Sequence, residues 1–567
     1  MASAPPVTLL TLEHAGRVWR YSSRPLSVAN GSESYLYRGG IAPMDVHREA
    51  PVTGVAEPQS MAVELLVDDD LSAIASQQHL PSEIRAEIAT IIPGQEWGQR
   101  DRYLQGMVDV QRAGARGQPL RLQVLGADPG LLPYIHPGPT HAISDDTWGT
   151  LPWGYDSAHE GKSYPQVFGE AGYIWAGASR ANIPAVPVYS VALSTVAPFI
   201  RYTPWGDITS WAGYAAWPPA TGDYGLVAGG YMFPGVTGNP GIVRAWHNDG
   251  ATPPDNINAK IWYVKDQLGQ VCTVLRPVGA FAAGGGFSPG REYYATIQAP
   301  CCGGVRYDYR DGLRGAGSII RSALEQTARR VDWRRTSPAL PLLDTYELGG
   351  LWDAPQDPWE WLCSEVFPLL PCAWIPGPNG LYPVIWRLDA HQGNCDIRLT
   401  DGLNCSSEGS PTYDDEPGQI LHSLDYARSI YNGTWKRRAT WHGRATREPA
   451  HESMSLHLRR AQLRFGGQLG HRHDGDQVVK TASMVYLDRT ADKILGWQAR
   501  LRSQPPMRLR VTGDGLFHRG ALSRARPGMA TLFNSSRHSM ANRVAHVRRA
   551  GLLGGVRYAD LIFLPSL

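Results

Sequence analysis

Sixty-two glycines and 44 prolines punctuate this 567-residue chain, spread along it without any repeat. Ordinary usage of the two together is about 12%. Proline removes a backbone donor and fixes φ, while glycine ends regular elements at little steric cost. Many short elements joined by turns, in a β-rich, loop-heavy architecture, are therefore favoured over helical bundles. At roughly 100–200 residues per domain the length predicts about three or four domains. A hydrophobic content of 43% and a charged content of 19% describe a folded chain. The expected fold class is mainly β with α+β modules: multidomain, barrel- or sandwich-like, with a few short helices.

The formal net charge of +2 argues against a nucleic-acid coat built on bulk electrostatics. Only Lys162, Lys260, Lys265, Lys436, Lys480 and Lys493 are lysines; the other basic residues are arginines. Together with 19 tryptophans and 25 tyrosines, this is the composition that protein–protein and carbohydrate contacts select. No stretch reaches the roughly 18 apolar residues of a spanning helix. The opening residues lack a basic region followed by a long apolar run, so the chain is expected to be made in the cytoplasm.

Gly161-Lys162-Ser163 spells the end of a phosphate-binding loop. The glycine required five residues earlier is Asp156, which would aim a negative charge at the phosphate, and Pro165 follows where a helix should begin. The segment reads instead as a domain junction. Gly161 and Gly169 supply tight turns, Pro165 sets an extended crossing, and Val167 and Phe168 bury in the next module. Lys162 is then expected to meet a carboxylate of a neighbouring domain or subunit. The seven cysteines, Cys272, Cys301, Cys302, Cys363, Cys372, Cys395 and Cys405, contain no C-x-x-C pair and read as reduced thiols, the adjacent Cys301 and Cys302 included. His471, His473, Asp474 and Asp476 crowd one short stretch, but Gly-rich flanks make it a hairpin tip more readily than a metal site. No metal and no cofactor is expected.

Along the chain, residues 1–60 read as short strands. Ile84, Ile88 and Ile91 fall at i, i+4 and i+7 between two prolines, which predicts a short helix over 81–93. A hairpin follows, then a linker over 127–160. The middle carries strand signals, among them "NAKIWYVKDQLGQVCTVL". A helix is predicted over 317–333 with Ser318 as its cap, and a second from Asp357-Pro358 to Pro368. "CAWIPGPNGLYPVIWRL" reads as strand–turn–strand, 401–420 as a loop, and "HSLDYARSIYNGTWKRRATW" as a hairpin around Asn-Gly. A helix over 488–505 precedes closing strands.

Three of these segments carry a resemblance. "GKSYPQVFGEAG" resembles the Gly-Lys-x-x-Pro-x-x-x-Gly turn of tailed-bacteriophage tail-tip and baseplate proteins. "RGAGSIIRSALEQTARRVDW" with "LGGLWDAPQDPWEWLCSEVFPLLPCAWIPGPNGLYPVIWRL" is similar to the helix-plus-β segment of hub proteins that cap the tail tube. "DRTADKILGWQARLRSQPPMRLRV", followed by Pro527-Gly528, resembles the same family's closing module. The matches touch about 81–180 and 312–567, whereas 190–310 has no counterpart and reads as an insertion. The expected organisation is an N-terminal β-rich module (1–140), a junction (141–180), a β-rich middle module (181–310), a helix-plus-β hub module (311–400) and a C-terminal β module with one helix (401–567).

What the resemblance implies is a structural virion protein, part of a hub ring at the tail tip that takes part in host attachment and genome delivery. Its implied partners are other tip proteins, the tail tube and copies of itself, threefold in preference to sixfold. DNA would be met only in transit and no stable membrane insertion is implied. The iron–sulfur cysteine pattern of some tail-tip proteins is not present.

The composition also bears on two other classes. Aromatic residues and carboxylates invite a carbohydrate-active reading. Glu360 and Glu365 lie five apart on a predicted helix and so diverge, while Asp414, Asp415 and Glu416 sit in a loop; both sets read as surface acids. Binding of host-surface polysaccharide without hydrolysis, through Trp205, Trp211 and Trp217, is the milder form. For a nucleophilic hydrolase there is no Cys/His arrangement in a helical context and no H-E-x-x-H zinc pattern. The chain is expected not to be an enzyme.

Overall fold

A computed structural model describes residues 5–51, 54–56, 60–66, 84–112, 119–126, 166–168, the strands between 174 and 297 named below, 314–327, 329–352, 356–377, 379–387, 389–413, 422–428, 435–441, 445–449, 478–503, 507–513, 525–553 and 556–564. The described residues form several β-sheets with a few short helices, in a multidomain, sandwich-like architecture.

The N-terminal strands are β1 (Val7–His14), β2 (Arg17–Ser22), β3 (Leu26–Asn30), β4 (Glu33–Gly39), β5 (Asp45–Glu49), β6 (Gly54–Val55), β7 (Ser60–Leu66), β8 (Arg85–Ile91), β9 (Asp101–Arg112) and β10 (Pro119–Gly126). Eight of them make one sheet in the order β3-β4-β2-β1-β8-β9-β10-β7. The β1–β2 turn is Ala15-Gly16, both at positive φ, which is the twist a two-residue hairpin requires. Gly40 and Ile41 donate to the Ser22 carbonyl, while Ala42 donates to that of Glu64. This short segment brings β2 and β7 near one another without a closing ladder.

The helix expected over 81–93 is strand β8. Ile84, Ala86 and Ile88 bury on one face of the sheet, and Ala89 and Ile91 bury in a separate cluster. A register shift at Ile88/Ala89 accompanies the change of face. A strand paired on both edges and covered on both faces reads as a near-continuous apolar run, which periodicity does not separate from a helix.

After β11 (Gln166–Phe168) the strands are β12 (Ile174–Ala176), β13 (Ala181–Ile183), β14 (Val186–Val191), β15 (Arg201–Thr203), β16 (Gly206–Ile208), β17 (Gly230–Pro234), β18 (Ile242–Asn248), β19 (Asp255–Ile257), β20 (Ala259–Lys265), β21 (Val271–Pro277) and β22 (Glu292–Ile297). β12 pairs β13, and the rest form a nine-stranded sheet, β16-β15-β20-β21-β17-β14-β22-β18-β19. The first half of β14 pairs β22 and the second half pairs β17.

The helical part comprises α1 (Ala316–Leu324), α2 (Trp333–Thr336), α3 (Leu340–Leu343), β23 (Gly350–Trp352), α4 (Pro358–Trp361), β24 (Cys372–Gly377) and β25 (Gly380–Ile385). The helix expected over 317–333 stops at Leu324, and Ser318 does not cap it. The N-cap is Gly315, and Asp344 Oδ1 accepts from the Ser318 N–H at 2.8 Å. The reason is packing: a Cβ on Gly317 would stand 1.9 Å from the Leu340 carbonyl, so α1 lies directly against α3. After the helix, Val331 bridges to Leu381 and Asp332 caps α2 instead. The second helix begins as expected: Asp357 accepts from the Trp359 N–H at 2.7 Å and Pro358 takes the first turn. It continues as a π turn and a 3-10 turn to Leu369. The strand–turn–strand at 372–385 is the β24–β25 hairpin.

The last third holds β26 (Ile397–Thr400), β27 (Ser406–Tyr413), β28 (His422–Arg428), β29 (Trp435–Trp441), β30 (Ala445–Pro449), β31 (Val478–Thr481), α5 (Asp488–Ser503), β32 (Met507–Thr512), β33 (Ala530–Ser535), β34 (Met540–Leu553) and β35 (Val556–Phe563). Much of the loop expected over 401–420 is strand β27, on the edge of the sheet β26-β33-β34-β35-β32-β27. Its polar, Gly- and Pro-bearing sequence suits an edge with one partner, and a register shift between Glu408 and Thr412 accommodates Gly409 and Pro411.

One hydrophobic core unites distant segments. Phe168, Ile319, Trp352, Trp361, Tyr426, Met484 and Ile494 belong to the same buried cluster. Trp361 stacks on Trp352 with ring centroids 4.8 Å apart and on Phe168 at 5.3 Å.

Candidate functional site

The most constrained polar arrangement among the described residues lies where the beginning and end of the chain meet. β5 pairs antiparallel with β34, Glu49 facing Arg549 and Asp45 facing Leu553. β6 pairs in parallel with β24. Thus two short strands, only four residues apart, stitch the N-terminal segment to both later sheets.

Alternation along β5 decides what each side chain does. Arg48 is buried; its Nη2 donates to Asp101 Oδ1 at 2.9 Å and also to the Arg102 carbonyl. The Tyr103 ring lies 4.6 Å from its guanidinium carbon. Burial alone would lower the Arg48 pKa, but Asp101 and neighbouring tyrosines outweigh it and hold the guanidinium charged. Burial pushes the Tyr103 hydroxyl up, and Asp101 adds to the shift. Asp45 accepts from Arg549 at 2.7 Å and from the Tyr558 hydroxyl at 2.8 Å, with His47 Nδ1 at 3.3 Å. Burial works to raise the Asp45 carboxyl, yet hydrogen bonds to His47 and Tyr558 win and hold it below its ordinary value. Arg548 meets Glu49 at 3.3 Å, and Arg510 grips Asp560 with two bonds, at 2.6 and 2.9 Å. Of these pairs Arg510–Asp560 is forked and Arg48–Asp101 is buried, arrangements that the guanidinium geometry favours over lysine. The arginine bias of the sequence is used here inside the molecule.

A second cluster has the residue types of a hydrolytic triad. Asp401 Oδ2 accepts from Ser407 Oγ at 2.6 Å and from Ser535 Oγ at 2.7 Å, and His538 Nε2 is 2.9 Å from Ser407 Oγ. In a triad the imidazole stands between serine and carboxylate and takes the serine proton. Here the serine stands between them and gives its single proton to Asp401. His538 must then donate to the serine and is not its base. The cluster braces the 400–405 turn against the β33–β34 hairpin and holds the Asp401 carboxyl low: burial opposes, but the serine bonds prevail.

The other expected site residues divide sharply. Gly161, Lys162, Pro165, Gly169, Trp205, Trp211, Trp217, Cys301, Cys302, His471, His473, Asp474, Asp476, Asp414, Asp415 and Glu416 lie outside the described residues. Phe168, expected to bury in the next module, is fully buried against Trp361. Glu360 stands exposed in the first turn of α4, while Glu365 accepts from the Ser483 hydroxyl and so ties the π turn to the segment before α5. Burial pushes the Cys363 thiol up to about 11 and those of Cys372 and Cys405 to about 12, so they are not nucleophiles at neutral pH. Among the described residues no group of three or more His, Cys, Asp and Glu side chains is gathered as for a metal. Among the same residues no helix is long and apolar enough to cross a membrane.

One further sequence signal is Gly286-Phe287-Ser288-Pro289-Gly290, which has the spacing of a nucleophile elbow. It lies outside the described residues. The oxyanion hole of such an elbow uses the N–H after the serine, and Pro289 has none. The β5 latch was missed in the sequence because its partners lie some 500 residues away.

No family model and no curated protein matches the chain. Among solved structures, a 43 kDa tail protein of prophage MuSo2 from Shewanella oneidensis aligns over 98% of each chain at 7% identity, with a TM-score of 0.37. A tail protein from Neisseria meningitidis MC58 aligns over 61% of this chain and 90% of its own, at 11% identity and a TM-score of 0.26. Likenesses at these scores carry no argument about this chain's function.

Proposed function

We propose that the chain is a structural component of a bacteriophage tail, and more specifically a subunit of the hub ring at the tail tip or baseplate. In this reading it packs β modules into a closed annulus with copies of itself, threefold in preference to sixfold, binds the tail tube and neighbouring tip proteins, and takes part in host attachment and genome delivery. It performs no catalysis; DNA only passes by.

The observation that carries the reading is the β5–β34 ladder. A subunit that closes a tube end must transmit force between its modules without unravelling, and a strand from the start of the chain paired into its last sheet does so. The three motif resemblances, in the family's order, support the same reading. The test is the mass of the purified chain by light scattering, alone and mixed with tail-tip fractions, followed by negative-stain imaging. A threefold ring, or a complex formed only with other tail proteins, is expected. A stable monomer that ignores tail proteins and binds polysaccharide would sink the hub reading and turn attention to Trp205, Trp211 and Trp217.

A further inference from the structure

The chain leaves the helical body at one point and returns beside it. On the way out, β11 pairs β23, with Gln166 facing Trp352 and Phe168 facing Gly350. On the way back, Gly315 bridges Glu347, the Leu348 N–H donates to the Arg314 carbonyl at 2.7 Å, and the Ala316 N–H donates to the Tyr346 carbonyl at 2.9 Å. Both ends therefore bond to the single stretch 346–352. Leu348 and Gly350 are two residues apart, which is about 7 Å of strand. Both ends are also anchored in the same core, where Phe168 and Ala316 are fully buried.

Between these ends the pairing is self-contained. Among the described residues, every strand from β12 to β22 pairs only with another strand of that set. By contrast, the segments on either side are stitched into sheets far along the chain, as β5 is with β34 and β6 with β24.

We propose that residues 169–313 form an autonomous β unit inserted into a body made by 1–168 and 314–567, and that the unit is dispensable for folding and assembly of that body. The body closes without it because the two ends already meet on 346–352. A bridge of a few residues spans the gap, so the loop-closure cost of removing the unit is small. The insertion then extends beyond the middle module expected at 181–310, beginning directly after Phe168. The statement about assembly rests on the hub reading above; the statement about folding does not.

The test uses the full chain carrying one specific protease site after Gly169 and a second before Arg314, cut under native conditions and separated by size. The expected result is that residues 1–169 and 314–567 stay together while the excised unit leaves with its own β-type circular dichroism and its own thermal transition. The body should keep the melting temperature of the uncut chain's corresponding transition. Co-elution of all pieces, or loss of the body's transition on release, would overturn the proposal. A second chain, with 169–313 replaced by a short Gly-Ser bridge, is compared with the full chain by light scattering. If the full chain forms a ring, the bridged chain should form one of the same order; a monomer there overturns dispensability for assembly. If the full chain itself forms no ring, the hub reading fails, and the cleavage result still decides the insertion.

Discussion

Asp45 and Arg549 lie 504 positions apart in the chain, yet their side chains meet at 2.7 Å. The same carboxylate accepts from Tyr558, so one acid of β5 ties together both strands of the closing hairpin. Contacts of this span are costly in loop entropy.

Arg48 and Asp101 should be the most sensitive pair in this latch. Removing one partner leaves the other charge buried, which costs about 3–5 kcal/mol. Arg48→Ala is expected to lower the urea midpoint strongly. Arg321→Ala, which breaks the exposed pair with Glu325 on α1, should shift it by no more than about 0.5 kcal/mol. Equal effects of the two would contradict the burial seen at Arg48.

Asp45 sets an acid limb. Its carboxyl is held below the ordinary value of 3.8 in the folded chain, so between the two values the unfolded chain binds more protons. Its contribution is fully present above the ordinary value and is lost as pH falls through the folded one. Asp45→Asn should flatten the loss of stability in that window, measured as denaturant midpoint against pH.

Gly317→Ala tests the approach of α1 to α3. With a Cβ 1.9 Å from the Leu340 carbonyl, backbone must move, and overpacking of this kind costs about 1–3 kcal/mol. Helix propensity alone would favour alanine by up to about 1 kcal/mol. A net destabilisation in thermal melts is the expected sign; a rise in melting temperature would show that α1 is free to shift.

Phe168→Ala should open a cavity beside Trp361 and Trp352 and cost about 3–5 kcal/mol. If 169–313 is autonomous, the loss falls on the body's transition and spares the insertion's own, which differential scanning calorimetry separates.

Cys372 and Cys405 should stay unmodified by a thiol reagent at pH 8 in the native state and react on unfolding. Both are buried, with thiols pushed up to about 12. Fast native labelling at either would show that the core around it opens.

Much of the local architecture was legible in the sequence. Asp357-Pro358 announced the start of α4 because an N-cap and a first-turn proline act within one helical turn. The β24–β25 hairpin and α5 are set by local chemistry in the same way. Strand β8 was not legible, since its isoleucines fit a helical period until β1 and β9 supply partners on both edges. Nor was the end of α1 at Leu324, after which Val331 bridges to Leu381 and Asp332 caps the next helix. Nothing near Ser406–Tyr413 marks it as a strand; β32 makes it one.

From the sequence by itself came a chain of short, mainly β elements in several modules, because glycine and proline act over a few residues and need no partner to do so. The tertiary structure alone decided that β5 belongs to the last sheet, that Arg48 is buried against Asp101, and that Phe168 and Arg314 return to one segment, 346–352. Those outcomes rest on hydrogen-bond ladders and desolvated charges between residues hundreds of positions apart. Neither reveals its partner in composition or period, because each is defined only when both partners are present.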